Sequence, residues 1–216
     1  MGKKALFVDV DHTLIRGSTV ILFLLFLIKK GFIRPILLIK FLITYINEIV
    51  LLRRKNPKEV KACIRMHVPW HNIKEKIERE YFNRMLLPRI NKRVLSIIKD
   101  YKKRGYIVVL ATATPCYFIK SLSRFVDSDA ELCTRMLIEK DKLIITDYNY
   151  GVEKARNIRR FSEKEGIDLK RSSCITDSIE DLPMIKLVNE VFVVNPKGKL
   201  RKLVSKNALK KKWWII

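Results

Sequence analysis

Residues 5–14 of the chain read ALFVDVDHTL, a short apolar run that delivers Asp9, Asp11, His12 and Thr13. Runs of the same kind, rich in β-branched residues, recur at 107–111, 174–176 and 191–194. Each is continuous rather than alternating, the pattern of strands buried on both faces of a parallel sheet. Segments of helical period lie between them. Val94, Ile97, Ile98 and Tyr101 fall on one helical face, residues 154–161 mix apolar and basic side chains, and 181–188 carry an apolar stripe. Strands alternating with helices predict βαβ units and a doubly wound, Rossmann-like α/β core with a parallel sheet.

The alternation lapses between residue 15 and about residue 87. That stretch shows no clear strand and several helical patterns, including a Glu- and Lys-rich segment at 72–81, with Pro35, Pro57 and Pro69 as breakpoints. The expected organisation is an α/β core made of residues 1–15 and 89–216, interrupted by an all-helical cap over 16–88.

In open α/β sheets, ligands bind beyond the carboxyl ends of the strands, so the residues after each apolar run carry the chemistry. Asp9 and Asp11 follow the first run, Thr112, Ala113 and Thr114 the second, and Asp177, Ser178 and Asp181 the third. Residues 151–154 place Lys154 where a helix start faces the same edge. A single aspartate at a strand end is ordinarily a turn or cap residue; four on one edge repel one another unless a cation sits among them. Hard oxygen ligands favour Mg²⁺, which accepts one or two carboxylates together with water and phosphate oxygens. Lys154 and the Thr112 hydroxyl suit those phosphate oxygens, with backbone N–H groups as further donors.

Residues 9–14 (DVDHTL), Thr112, Lys154 and residues 176–184 (TDSIEDLPM) resemble, in order and spacing, the four motifs of haloacid dehalogenase superfamily phosphatases. The likeness is greatest to the phosphoserine-phosphatase-like branch, which carries a helical cap between its first and second motifs. The resemblance implies a phosphatase in which Asp9 attacks phosphorus and forms an aspartyl-phosphate. It implies that Asp11 protonates the leaving oxygen and later deprotonates the hydrolytic water. Mg²⁺ would be held by Asp9, the Asp11 carbonyl and Asp177, with Asp181 close by or acting through water. Thr112 and the Ala113 N–H would bind phosphate oxygens, and Lys154 would neutralise charge. The expected substrate is a phosphorylated small metabolite. One departure from the pattern is Thr176, where the fourth motif usually has glycine; local repacking without loss of metal binding is expected. Another concerns substrate: members acting on phosphoserine carry a glutamate near Ser18, and Arg16, Ser18 and Thr19 cannot replace it.

Composition bounds the alternatives. The chain has 216 residues, 48% hydrophobic and 31% charged, enough for one core with a small insert and unlike a disordered chain. A formal charge of +23 implies an anionic partner: nucleic acid, an acidic membrane surface or a phosphorylated substrate. Nucleic-acid reading is disfavoured because no basic segment is interleaved with aromatics. The apolar runs at 20–28 and 36–52 are too short or too interrupted to span a bilayer. Two further readings stay open. One is a lipid-phosphate phosphatase docked peripherally on anionic membrane through Lys29, Lys30, Arg34, Lys40, Arg53, Arg54 and Lys55. The other is a non-catalytic basic binding module. The tail at 210–216 (KKKWWII) reads as a final edge strand in preference to a membrane anchor. Residues 1–8 lack the apolar region of a signal peptide. Cys63, Cys116, Cys133 and Cys174 lie far apart and read as thiols in a reducing compartment, the cytoplasm. His67 and His71 flank Pro69, which does not suit a zinc site, and His12 reads as a loop residue at the site mouth. The absence of glutamine accords with high-temperature growth or with an AT-biased genome.

Overall fold

The computed structural model describes residues 2–32, 34, 36, 63, 64, 75–139 and 142–216. The four apolar runs become strands β1 (Ala5–Val8), β3 (Ile107–Pro115), β6 (Ser173–Thr176) and β7 (Glu190–Val193). β2 (Cys63–Ile64), β4 (Ala130–Glu139), β5 (Lys142–Asp147) and β8 (Lys212–Ile215) complete the sheet, whose order among the described residues is β2-β5-β4-β3-β1-β6-β7-β8. The stretch from β4 to β8 in that order is parallel, while β5 runs antiparallel to β4 and β2 antiparallel to β5. The architecture is therefore α/β with a mostly parallel, doubly wound sheet.

The continuous runs are explained by packing on both faces. In β1, Leu6 and Val8 enter one buried cluster while Ala5 and Phe7 enter the other. In β3 the split is Val108 and Leu110 against Val109 and Ala111. Helices α1 (Thr19–Lys29), α2 (Glu75–Tyr81), α3 (Lys92–Lys103) and α4 (Lys120–Val126) lie toward the first cluster. Helices α5 (Gly151–Glu165), α6 (Leu182–Leu187) and α7 (Gly198–Ser205) cover the second. The helical face read from the sequence holds, since Val94, Ile98 and Tyr101 of α3 are buried. The Asn91 side chain caps that helix by accepting from the Arg93 N–H at 3.1 Å. The tail forms β8, paired in parallel with β7, as the edge-strand reading expects.

The chain leaves the core and returns to it at adjoining points. Ile15 bridges Ile90, the Arg16 N–H donates to the Arg89 carbonyl at 2.9 Å, and the Asn91 N–H to the Leu14 carbonyl at 2.8 Å. Of the stretch between them, α1, β2 and α2 are described; the insert expected to be all-helical thus contributes β2, a two-residue strand too short to show as an apolar run, to the sheet edge beside β5. α1 buries Leu22, Phe23, Leu24, Phe26 and Leu27, with the Phe23 ring 4.4 Å from that of Phe118 and 5.0 Å from that of Tyr81. Glu78 of α2 accepts from both the N–H and the hydroxyl of Ser121, at 2.7 and 2.8 Å, and so pins α2 to the start of α4. No described helix is long and apolar enough to cross a membrane. Lys40, the basic run at 53–55, His67 and His71 lie outside the described residues.

The cysteine reading is corrected. Cys116, just after β3, and Cys133, in β4, form a disulfide with Cα atoms 5.1 Å apart. Their separation of 17 residues looks unpaired in sequence, yet β3 and β4 are neighbours, so the chain returns the second sulfur to the first. Cys174 is a buried free thiol, and burial raises its pKa far above the ordinary thiol range. Closing a loop of this size restricts the unfolded chain by about 3 kcal/mol. Cys116→Ser, or reduction of the wild type, is thus expected to lower the melting temperature by about 6–12 °C, read by calorimetry with and without dithiol.

Candidate active site

β1 delivers Asp9 to the sheet edge, where the Asp9 N–H donates to the Ile175 carbonyl of β6 at 3.0 Å. The loop then turns tightly. The Ile15 N–H returns to the Val10 carbonyl at 2.8 Å, and His12 adopts a left-handed backbone with φ of 59°. This turn aims Thr13 inward. The Thr13 hydroxyl lies 3.2 Å from Asp9 Oδ2 and 2.9 Å from Asp177 Oδ1, joining the carboxylates at the ends of β1 and β6.

Lys154, on the first turn of α5, is buried, and its Nζ sits 2.9 Å from Asp9 Oδ1 and 2.7 Å from Asp181 Oδ1. Asp181 is fixed on its other side by the Thr176 hydroxyl, which donates to Oδ2 at 2.7 Å and accepts from the Ser178 N–H at 3.1 Å. Asp181 thus stands behind the lysine, with both oxygens engaged. The threonine that replaces the usual glycine is part of this arrangement.

Electrostatics follow from one ammonium among three carboxylates. Burial is the largest influence on Asp9 and pushes its carboxyl from an ordinary 3.8 up to about 7; Lys154 opposes the rise, while Asp181 and Asp177 reinforce it. Asp177 is also raised, chiefly by burial, against the hydrogen bond from Thr13. Burial works against the charge on Lys154, but Asp181 and Asp9 outweigh it and hold the ammonium protonated.

Asp11 faces elsewhere. Its Oδ1 accepts from the Thr19 N–H at 3.0 Å, the Thr19 hydroxyl at 2.7 Å and the Thr114 hydroxyl at 3.2 Å. Its Oδ2 accepts from the Ser18 hydroxyl at 3.3 Å. The Tyr81 hydroxyl of α2 donates to the Thr19 carbonyl at 2.6 Å, so α2 braces the residue of α1 that holds this aspartate. Thr112 is buried, and its hydroxyl accepts from the Thr114 N–H at 3.1 Å. Among the described residues no three His, Cys, Asp or Glu side chains form a ready-made metal cage. The acidic groups are arranged instead as the Asp9–Asp177 pair, with Asp181 behind Lys154.

Sequence reasoning missed Asn149. It is fully buried, and its amide donates to the Thr112 carbonyl at 3.0 Å and the Leu132 carbonyl at 2.6 Å. Its N–H donates to the Thr134 hydroxyl at 3.2 Å, and its Oδ1 accepts from Asn157 of α5 at 3.1 Å. One side chain therefore ties the Thr112 strand end to the helix that carries Lys154. No motif or periodicity marks it. Asn149→Leu removes the side-chain donor from those carbonyls and the acceptor from Asn157. Unfolding in urea should show a loss of about 2–4 kcal/mol, accompanied by a lower kcat.

The sequence profile of haloacid dehalogenase-like hydrolases matches residues 6–186. A probable phosphatase of Mycobacterium tuberculosis is 28% identical over 212 residues, covering 94% of this chain and 73% of that protein. Phosphoserine phosphatase SerB1 of the same organism is 27% identical over 209 residues, covering 92% and 67%. Among solved structures, a protein of unknown function from Bordetella pertussis Tohama I superposes with a TM-score of 0.76 at 18% identity, covering 100% of this chain and 99% of that one. Phosphoserine phosphatase in its apo form superposes with a TM-score of 0.66 at 17% identity, covering 99% and 93%. The chain belongs to the haloacid dehalogenase-like hydrolases.

Proposed function

We propose that the chain hydrolyses the phosphate monoester of a small metabolite through an aspartyl-phosphate on Asp9, with Mg²⁺ as cofactor. The observation that carries this reading is the buried Asp9 carboxylate, held between Lys154 and Thr13 at the end of the central strand. Asp9 Oδ1 is oriented by the ammonium, which also offsets charge on a phosphoryl group arriving there. Attack by Asp9 forms the acyl phosphate and expels the alcohol; water then cleaves the acyl phosphate and frees inorganic phosphate. Asp11 gives its proton to the departing oxygen and takes one from that water, its position set by Thr19 and Thr114. Thr112 and the Ala113 N–H bind phosphate oxygens.

The residues present fit a hard divalent cation. Asp9 and Asp177 share one hydroxyl, both carboxyls are raised by burial, and the Lys154 ammonium beside Asp9 is shared with Asp181, so the group carries more negative than positive charge. Mg²⁺ would be held by Asp9, Asp177 and the Asp11 backbone, and would supply charge neutralisation at the phosphoryl group. Asp181 acts through Lys154. We further propose that residues 16–88 form the cap and that 1–15 with 89–216 form the core, supported by the hydrogen-bonded entry and exit at Leu14, Arg16, Arg89 and Asn91.

The test is hydrolysis of p-nitrophenyl phosphate with Mg²⁺ or with EDTA, followed by borohydride trapping of the acyl phosphate and mass spectrometry of the peptide containing Asp9. Metal-dependent turnover with modification at Asp9 is expected. Turnover without metal, or trapping at another residue, would refute the mechanism.

A further inference from the structure

Two cavities open beside the candidate site along the carboxyl edge of the sheet. The first, about 430 Å³, begins at Asp177 and reaches His12, Arg16, Asn195 and Lys197. The second, about 480 Å³, shares His12, Arg16, Val194 and Asn195 with it and continues past Lys92 and Arg93 to Ile216. Together they form one trough over the ends of β6, β7 and β8.

The charge along the trough is not uniform. Acidic side chains, Asp177 and Glu180, line only the first cavity, at the end nearest the catalytic carboxylates. The second cavity is lined by Arg16, Lys92 and Arg93 with no acidic side chain. None of Arg16, Lys92, Arg93 or Lys197 pairs with a carboxylate among the described residues.

A strongly basic protein has basic cavities by chance, and the molecule supplies its own comparison. A cavity of about 350 Å³ lined by the disulfide also carries three cations, Arg135, Arg160 and Lys164, but there Glu131 and Asp147 stand among them. The trough differs in that its second cavity holds Arg16, Lys92 and Arg93 with no acidic side chain among them, and in running continuously from the candidate phosphoryl site. Cations crowded in a concave surface repel one another, and an anion placed among them relieves that repulsion.

We propose that the trough is a subsite for a second anionic group on the substrate, so that the preferred esters are small phosphates bearing a further carboxylate or phosphate. The proposal rests on the reading of Asp9 and Asp177 as the phosphoryl end of the site. Arg16 and Lys197 flank the passage out of that end, and Lys92 and Arg93 receive longer substrates. An arginine offers a planar fork to an oxyanion and a lysine a point charge, so the subsite takes carboxylate and phosphate alike. The mouth is open, so each pair contributes weakly and the set together gives roughly a tenfold preference that salt erodes.

The experiment is titration calorimetry in Mg²⁺ buffer with short and long alkylphosphonates ending in hydroxyl, carboxylate or phosphonate, none of which can be hydrolysed. In the wild type, at least one length of the doubly anionic probes should bind about tenfold more tightly than its hydroxyl counterpart. Arg16→Gln/Lys197→Gln should reduce that ratio to below about threefold, as should molar salt. Lys103→Gln, at the opposite end of α3, should leave it intact. Equal affinities in the wild type overturn the proposal, as does a ratio that survives the double substitution. A loss as large in Lys103→Gln reduces the effect to net charge and overturns it equally. The carboxylate and phosphonate arms identify which second group is preferred. Hydrolysis of p-nitrophenyl phosphate, measured separately, reads the catalytic assignment. Its absence, beside a ratio that depends on Arg16 and Lys197, would fault the phosphatase chemistry and leave the subsite standing.

Discussion

Asp9→Asn is expected to lower kcat/KM for p-nitrophenyl phosphate by about 10⁴-fold or more, and at the same time to stabilise the metal-free protein at about pH 8. The first effect follows from removing the attacking oxygen, since an amide oxygen cannot carry the phosphoryl group through a stable acyl intermediate. The second follows from burial. The Asp9 carboxyl has its folded pKa raised to about 7 from an ordinary 3.8. Such a group binds its proton more tightly in the folded state than in the unfolded one. Its contribution to stability is complete below pH 3.8 and is lost as pH rises through 7, so at pH 8 the ionised carboxylate is carried at a cost. At 1.36 kcal/mol per unit, that cost is about 4 kcal/mol at most. Asparagine avoids it and keeps the contacts: its Oδ1 can still accept from Lys154, and the Thr13 hydroxyl can turn fully to Asp177. Thermal unfolding in EDTA should show a gain of several degrees at pH 8 that shrinks toward pH 4. Adding Mg²⁺ should narrow the gap, because the cation offsets the same charge in the wild type.

Lys154→Met carries the opposite sign in stability. The methylene stem is preserved and only the ammonium is lost, leaving Asp9 and Asp181 facing each other in a buried space. Removing one partner of a buried ionic cluster costs about 3–5 kcal/mol, and activity should fall by about 10²–10⁴-fold as the charge opposite the phosphoryl group disappears. A double substitution separates the two effects. Adding Asp181→Asn to Lys154→Met removes one of the stranded carboxylates and should recover part of the stability but none of the activity. Urea unfolding and kcat measured on all four proteins of the cycle give both coupling energies. Strict additivity in stability would mean that Asp181 and Lys154 do not act as a unit.

The strands that carry the candidate site were legible in the sequence because they are buried on both faces, which keeps charged residues out of the interiors of β1, β3, β6 and β7 and leaves continuous apolar runs within them. β4 and β5 carried a different signal. In β4, Glu131, Arg135 and Leu137 are exposed while Cys133 and Thr134 are buried, so the strand mixes polar and apolar positions and does not stand out as a run. The disulfide escaped notice for the same reason, since it joins β3 to a neighbour that was not recognised. Within the site, strand-end position brought Asp9, Asp177, Asp181 and Lys154 to one edge on paper. Their grouping into Asp9–Thr13–Asp177 on one side and Lys154–Asp181–Thr176 on the other depends on side-chain direction, which spacing does not encode. Thr176 was visible as a departure from the family pattern, but its hydroxyl contact to Asp181 was not. Asn149 acts through partners in distant segments, the Thr112 and Leu132 carbonyls and the Thr134 and Asn157 side chains, a role that leaves no trace in local sequence.

The surroundings of Asp11 bear on how such enzymes diversify. Three of the four hydrogen bonds it accepts come from Ser18 and Thr19, within the proposed cap, and the fourth from Thr114 in β3. Thr19 is in turn held by Tyr81, far along the same insert. Under the proposed cap and acid assignments, a foreign insert spliced in at residue 16 would exchange the cap and dismantle the seat of Asp11 in a single recombination event. Inheritance of new specificity is easiest where the first helical turn stays with the old core and the splice falls beyond it. The heritable module boundary and the structural domain boundary would then lie about one helical turn apart.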